Sequence, residues 1–232
     1  MRIRSRVLPL LALAAVAAAH SVEAQSAHSD AASVARSRDD RFKWYFGGSG
    51  GALFFETQTH GFTGIPTAGA HIAIVARRAG LMLGVDEGFG SNDTTAFLDA
   101  SSNFDQRTVT FDRIRRYNFT LTGYPVRGTF EPYLGVGFGI TQVLNPVVTG
   151  VFATPDDAAF STFLARDVSA AAYASFLGGV QVRVGRVAAF GQYQINTAPS
   201  FDNLLRGPLH MLTAGLRFSL GSSREDVKGG GY

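Results

Sequence analysis

Eight stretches of the chain alternate apolar and polar side chains, with Gly-, Pro- and Ser-containing breaks between them. A period of two puts successive side chains on opposite faces, so each stretch reads as a strand with one apolar face. The expected strands are Phe42–Glu56, Ala68–Arg77, Leu81–Phe89, Val109–Pro125, Phe130–Thr141, Ser169–Val184, Val187–Asn196 and His210–Leu220. In the first, Trp44, Phe46, Gly48, Gly50, Ala52 and Phe54 share a face, opposite Lys43, Tyr45, Gly47, Ser49 and Gly51. In the fifth, Phe130, Leu134, Val136, Phe138 and Ile140 oppose Glu131, Tyr133, Gly135, Gly137 and Gly139.

The connections alternate too. After the second, fourth and sixth strands they are short turns, at Arg78–Gly80, Val126–Thr129 and Gly185-Arg186. After the others they are longer: His60–Thr67, Gly90–Arg107, Gln142–Val168 and Thr197–Leu209. Transmembrane barrels pair short turns on one side with long loops on the other, and an even strand number returns both termini to the turn side. A soluble lipocalin-like barrel has no reason for that bias. The pattern therefore predicts an all-β fold, an eight-stranded antiparallel up-and-down transmembrane barrel. Its large apolar side chains face lipid, and its Gly, Ser, Thr, Gln and charged side chains face the lumen.

The first residues agree with this. Arg2, Arg4 and Arg6 precede an apolar run from Val7 to Ala19, and Val22-Glu23-Ala24 fits a small-residue cleavage rule. A run of 13 residues is short for an uncleaved spanning helix, which needs about 20. Residues 1–24 thus read as a signal peptide and 25–41 as a polar periplasmic leader. Residues 42–221 read as an outer-membrane barrel and 222–232 as a short polar periplasmic tail. No segment has 18 consecutive apolar residues, so α-helical spans are not expected. Loss of residues 1–24 removes three Arg and one Glu and lowers the formal charge from +3 to +1. The basic balance is thus largely the signal peptide's, and it gives no support for nucleic-acid binding. Cysteine is absent, and a closed strand ladder needs no disulfide.

An eight-stranded barrel is filled by its own side chains. Lys43, Arg77, Asp86, Arg116, Glu131, Gln181, Arg183 and Arg217 have lumenal parity, and the glycines at 135, 137 and 139 leave room for long neighbours. Buried charge requires partners, so Glu131 and Asp86 are expected to pair with lumenal Arg in a structural network. Aromatic residues near strand ends suit interfacial girdles. Trp44, Tyr124, Phe130 and Phe218 are expected at the periplasmic ends, and Phe54, Phe89 and Phe111 at the external ends.

The run Phe130-Glu131-Pro132-Tyr133-Leu134-Gly135-Val136-Gly137-Phe138-Gly139 resembles a segment that opens the fifth strand of small OmpA-like and OmpW-like outer-membrane barrels. The ending Thr213-Ala214-Gly215-Leu216-Arg217-Phe218-Ser219-Leu220 is similar to their last strand, which carries the signal read by the barrel-assembly machinery. Gly221–Tyr232 departs from the pattern by extending past that strand, and it is too short for a peptidoglycan-binding domain. The resemblance implies the outer membrane of a diderm bacterium, contact with its lipids and lipopolysaccharide, and a monomer without a cofactor. The expected role is non-enzymatic: envelope integrity, or surface interaction through the external loops. The alternative is OmpW-like passage of small apolar molecules.

Two chemical readings are weaker. Lipid A-modifying barrels use His and Ser near the outer leaflet. His210 is followed by Met211, Leu212 and Thr213 rather than their His-x-Ser-Asn run, so no catalytic residue is assigned. His60, His71 and His210 lie near the external ends of neighbouring strands, but His71 and His210 have opposite facing parity, so no metal site is assigned.

Overall fold

A computed structural model of the chain describes residues 42–99, 105–199 and 203–222. The expected signal peptide and leader, and most of the tail, lie outside the described residues. Nine strands and one helix follow in order: β1 (Lys43–Thr57), β2 (Thr63–Ala76), β3 (Ala79–Asp99), β4 (Asp105–Gly123), β5 (Phe130–Leu144), β6 (Val147–Thr149), α1 (Pro155–Asp167), β7 (Ala170–Val184), β8 (Val187–Asn196) and β9 (Leu205–Ser222).

Eight of these strands close a barrel in which every described pairing is antiparallel. The order β3-β2-β1-β9-β8-β7-β5-β4 is completed by pairing of β3 with β4, and β6 adds to the outer part of β4. First and last strands pair from Lys43 with Ser222 to Thr57 with Leu205. The turns at 77–78, 124–129 and 185–186 gather at one end with the start of β1 and the end of β9; this is the turn end. The loop end carries the other connections, β6 and α1.

In the half toward the turn end the barrel is inside out. Phe46, Ile72, Leu83, Leu121, Leu134, Phe138, Phe176, Leu216 and Phe218 all face outward and are exposed, Leu134 by 69%. Inward lie Arg116, Glu131, Gln181 and Arg217, each at most 3% exposed. A water-soluble fold buries the first set and solvates the second. The small inward residues create the room. A Cβ on Gly139 would meet the Tyr117 carbonyl and the Tyr173 hydroxyl, and one on Gly135 would press on Leu177 at 3.1 Å. The space beside these glycines is taken by Tyr173 and Leu177, where the sequence suggested the long charged and amide side chains of the lumen.

Toward the loop end the pattern reverses. Leu53, Phe55, Ile65, Phe97, Val109, Phe111, Ile114, Val143, Leu204, Leu209 and Met211 point inward and form one dry cluster. The strands overrun the apolar belt, and there the outer face carries Glu56, Gln106, Thr108 and Arg206 among scattered apolar residues such as Leu98. This corrects the expected loops: β3 and β4 form a long hairpin through most of Gly90–Arg107, β2 begins at Thr63, and β9 begins at Leu205. Those stretches are strands because their inward residues pack as in a soluble barrel.

A slip in alternation joins the two halves. On β4 the inward residues Ile114 and Phe111 are separated by two partly exposed ones, Asp112 and Arg113. The β3–β4 register shifts between Phe89 and Asp93. Such a bulge moves all following side chains to the other face. Phe111 therefore sits in the dry core at 3% exposure and not in a girdle, against the sequence expectation.

Candidate functional site

The lower lumen holds a continuous polar plug. β5 carries Glu131 inward, 1% exposed, and β7 presents Gln181 and Arg183 to it. The Arg183 guanidinium donates to Glu131 Oε2 at 2.7 Å, Gln181 Nε2 donates to the same oxygen at 2.5 Å, and Arg127 stands 3.5 Å away. The Gly128 amide donates to Glu131 Oε1 at 3.2 Å. Gln181 passes the network on, since its Oε1 accepts from Arg217 at 2.9 Å. Arg217 in turn donates to His71 Nε2 at 3.0 Å and lies over the Phe190 ring at 4.1 Å. Each long cation is held by acceptors and by an aromatic face, as burial of charge demands.

A second group lies beside it, nearer the loop end. Asn118 Nδ2 donates to Asp86 at 2.5 Å, while its Oδ1 accepts from the Tyr173 hydroxyl and from Arg116. Arg116 also reaches Met211 and stacks over Tyr173 at 5.2 Å. Asp86 thus meets Arg116 through Asn118, where the sequence suggested a direct pair.

Of the residues expected in the lumen, Asp86, Arg116, Glu131, Gln181, Arg183 and Arg217 enter these two groups. Lys43 and Arg77 do not: both are exposed at the turn end, Arg77 with a positive φ of 33° in the β2–β3 turn. Their parity was right for the lumen, but their height puts them at its mouth. Of the aromatic set, Trp44, Phe130 and Phe218 face outward near the turn end, and Phe54 and Phe89 face outward near the loop end. Tyr124 does not join them. It closes the turn-end mouth from within, 2% exposed, 5.6 Å from the Tyr133 ring and beneath Arg127 at 4.9 Å. Even-numbered β4 residues from Ile114 onward point inward, and Tyr124 continues that row.

The three histidines do not converge. His60 bonds Thr94 Oγ1 at 2.9 Å, His71 is in the plug, and His210 is on the outer wall. His210 Nδ1 meets the Tyr193 hydroxyl at 2.5 Å and its ring packs edge-on against Phe62. Its contacts are a phenol and aromatic rings, with Phe62 stacked on Phe54 at 5.3 Å. This is the build of an interfacial aromatic cluster.

The loop end is stitched into a solid cap. Thr57 and Thr59 donate to the Thr94 carbonyl at 2.8 and 2.6 Å, and Thr95 donates to the Leu204 carbonyl at 2.8 Å. Arg107 donates to the Val151 carbonyl at 2.8 Å and covers the Phe152 ring at 4.7 Å. α1 lies across this end, its buried Ser161 and Ala165 turned inward and Leu164 packed on the dry cluster. Phe160 and Phe163 face out, stacked 6.4 Å apart and both more than half exposed.

The sequence reading left α1 inside a long loop, although its start signal was present. Thr154 caps Asp157 N at 3.2 Å, Asp157 returns a bond to Thr154 N at 3.0 Å, and Pro155 occupies the first turn. Thr-Pro-Asp-Asp is the signature of such a cap. Glu87, held by Arg115 at 2.7 Å and Arg113 at 3.1 Å above the apolar belt, was also missed.

No protein-family profile and no curated protein sequence matches this chain. Solved structures do. Neisserial surface protein A superposes with a TM-score of 0.51 at 11% identity, covering 75% of this chain and 96% of that one. The chain has the fold of the small eight-stranded outer-membrane barrels. The N-terminal β-barrel domain of Pseudomonas aeruginosa OprF also aligns, with a TM-score of 0.43 at 10% identity, over 76% of this chain and 96% of that domain.

Proposed function

We propose that this chain is a non-enzymatic outer-membrane barrel that presents a rigid external cap for interaction at the cell surface. Residues 1–24 would direct export, the turn end would face the periplasm, and outer-membrane lipids would cover the apolar belt. The single observation that carries the reading is the division of the interior. A polar plug fills the lower lumen and a dry core fills the upper, so the fold spends its interior on holding the cap still. Loops on such a frame are well suited to recognition. The outer-membrane barrels with which the chain shares its fold support the location.

Fractionation tests the location. The protein is expected with the outer membrane and should migrate differently on a gel before and after boiling; recovery from the soluble fraction would sink the reading. Conductance tests the alternative, passage of small apolar molecules. Glu131, Gln181 and Arg217 span the lumen below, and Phe55, Phe111 and Ile114 close it above. Purified protein in planar bilayers is expected to give no steady single-channel conductance. Regular openings would favour the transport reading over the surface one.

A further inference from the structure

The charges are sorted along the barrel axis. At the turn end stand Lys43, Arg77, Arg78, Arg127, Arg183 and Arg186. The carboxylate there among the described residues is Glu131, sealed in the lumen against Arg183 and Arg127. Lys43, Arg77, Arg78 and Arg186 are exposed. The loop end instead mixes Glu56, Glu87, Asp112, Asp156 and Asp157 with Arg113, Arg115 and Arg206.

Three of these cations are spread around the mouth. Lys43 begins β1, Arg78 lies in the turn from β2 to β3, and Arg186 joins β7 to β8. Next to them along the strands are outward apolar residues: Trp44 beside Lys43, and Val184, 72% exposed, beside Arg186. Side chains of this kind lie along apolar surface and lift their charge to headgroup depth. A compact anion needs cations converging on one point, and these stand apart at three of the four turn-end junctions, the β1–β9 seam and the β2–β3 and β7–β8 turns. A fluid layer of many separate anions fits that spacing.

We propose that the turn-end rim is an anionic-phospholipid collar, in which Lys43, Arg78 and Arg186 recruit phosphate-bearing headgroups of net negative charge from the adjoining leaflet. This rests on the membrane reading given above and names the lipid class that the barrel gathers at one end. Basic side chains near a bilayer surface attract acidic lipid through a field that falls off within a Debye length.

The folded barrel is placed in phosphatidylcholine vesicles, and spin-labelled phosphatidylglycerol is compared with spin-labelled phosphatidylcholine. The readout is the fraction of label immobilised at the protein surface. At low ionic strength phosphatidylglycerol is expected to be favoured on the order of five-fold, the effect of about one engaged cation. The preference should fade in high salt. It should approach unity in the triple variant Lys43→Gln/Arg78→Gln/Arg186→Gln and persist in the loop-end control Arg113→Gln/Arg115→Gln. Equal ionic strengths of chloride and inorganic phosphate should reduce it equally, whereas a stronger effect of phosphate would mean a discrete phosphate site and overturn the collar. No preference in the unaltered protein, or equal loss in both variants, would also overturn it. Salt dependence of the unaltered protein decides the matter if the triple variant does not fold. A chain that never enters vesicles, seen as unchanged mobility on boiling, counts against the membrane reading itself.

Discussion

Glu131→Ala is expected to lower the stability of the folded barrel by about 3–5 kcal/mol, the usual cost of removing one partner from a buried charge pair. Glu131 Oε2 receives Arg183, Gln181 and the flank of Arg127, and Oε1 receives the Gly128 amide. Deleting the carboxylate leaves the mostly buried Arg183 and Arg127 guanidiniums without their anion. It also frees Gln181, which otherwise steadies Arg217. Glu131→Gln keeps the shape and some of the bonds, so its loss should be smaller. Urea unfolding in lipid vesicles, followed by the single tryptophan, Trp44, gives both numbers. A loss below about 1 kcal/mol for the alanine variant would show that the plug is hydrated and energetically idle.

Phe111→Ala is expected to cost about 3–5 kcal/mol as well, for a different reason. Phe111 packs in the dry upper core, its ring 6.2 Å from that of Phe55. Truncation removes apolar contact and leaves a void that neighbouring strands fill only in part. Phe89 is the control, because it faces outward and is 47% exposed. Phe89→Ala should cost less than half as much under the same urea titration. Equal effects would return Phe111 to the outer surface, and with it the sequence expectation that the alternation runs unbroken.

The comparison of Phe111 with Phe138 shows what the sequence discloses. Alternation is legible wherever one environment persists along a strand, so Leu134, Val136, Phe138 and Ile140 were correctly placed outward and Glu131 and Tyr133 inward. It fails where the environment itself changes. At the loop end, water replaces lipid outside and a dry core replaces the polar lumen inside, while a bulge shifts parity by one. Thr94 and Phe97 then look like part of an irregular loop, and Phe111 falls on the wrong face of its strand, when judged by the rule of the lower half. Height is the second blind spot: Lys43 and Arg77 had lumenal parity, but parity says nothing of distance from the mouth, and Tyr124 was expected in the girdle although the inward row of β4 runs on to it. The plug was more accessible. Buried charges need counter-charges, and that requirement pointed from Glu131 to a lumenal Arg; that the partner is Arg183, and that Gln181 and Asn118 act as intermediaries, needed coordinates.

The seam between β1 and β9 carries a consequence for how the chain is made. Fourteen aligned positions join the two strands, yet the polypeptide between them must be synthesised before they meet. Until Leu205–Ser222 arrives, β1 is an open edge of unpaired amides and carbonyls flanked by Trp44, Phe46 and Phe54. Such an edge is a template for pairing with a neighbouring copy, and long-range pairing of this kind is slow. Closure of the β1–β9 seam therefore does more than complete the cylinder: it removes a border on which a second copy could add.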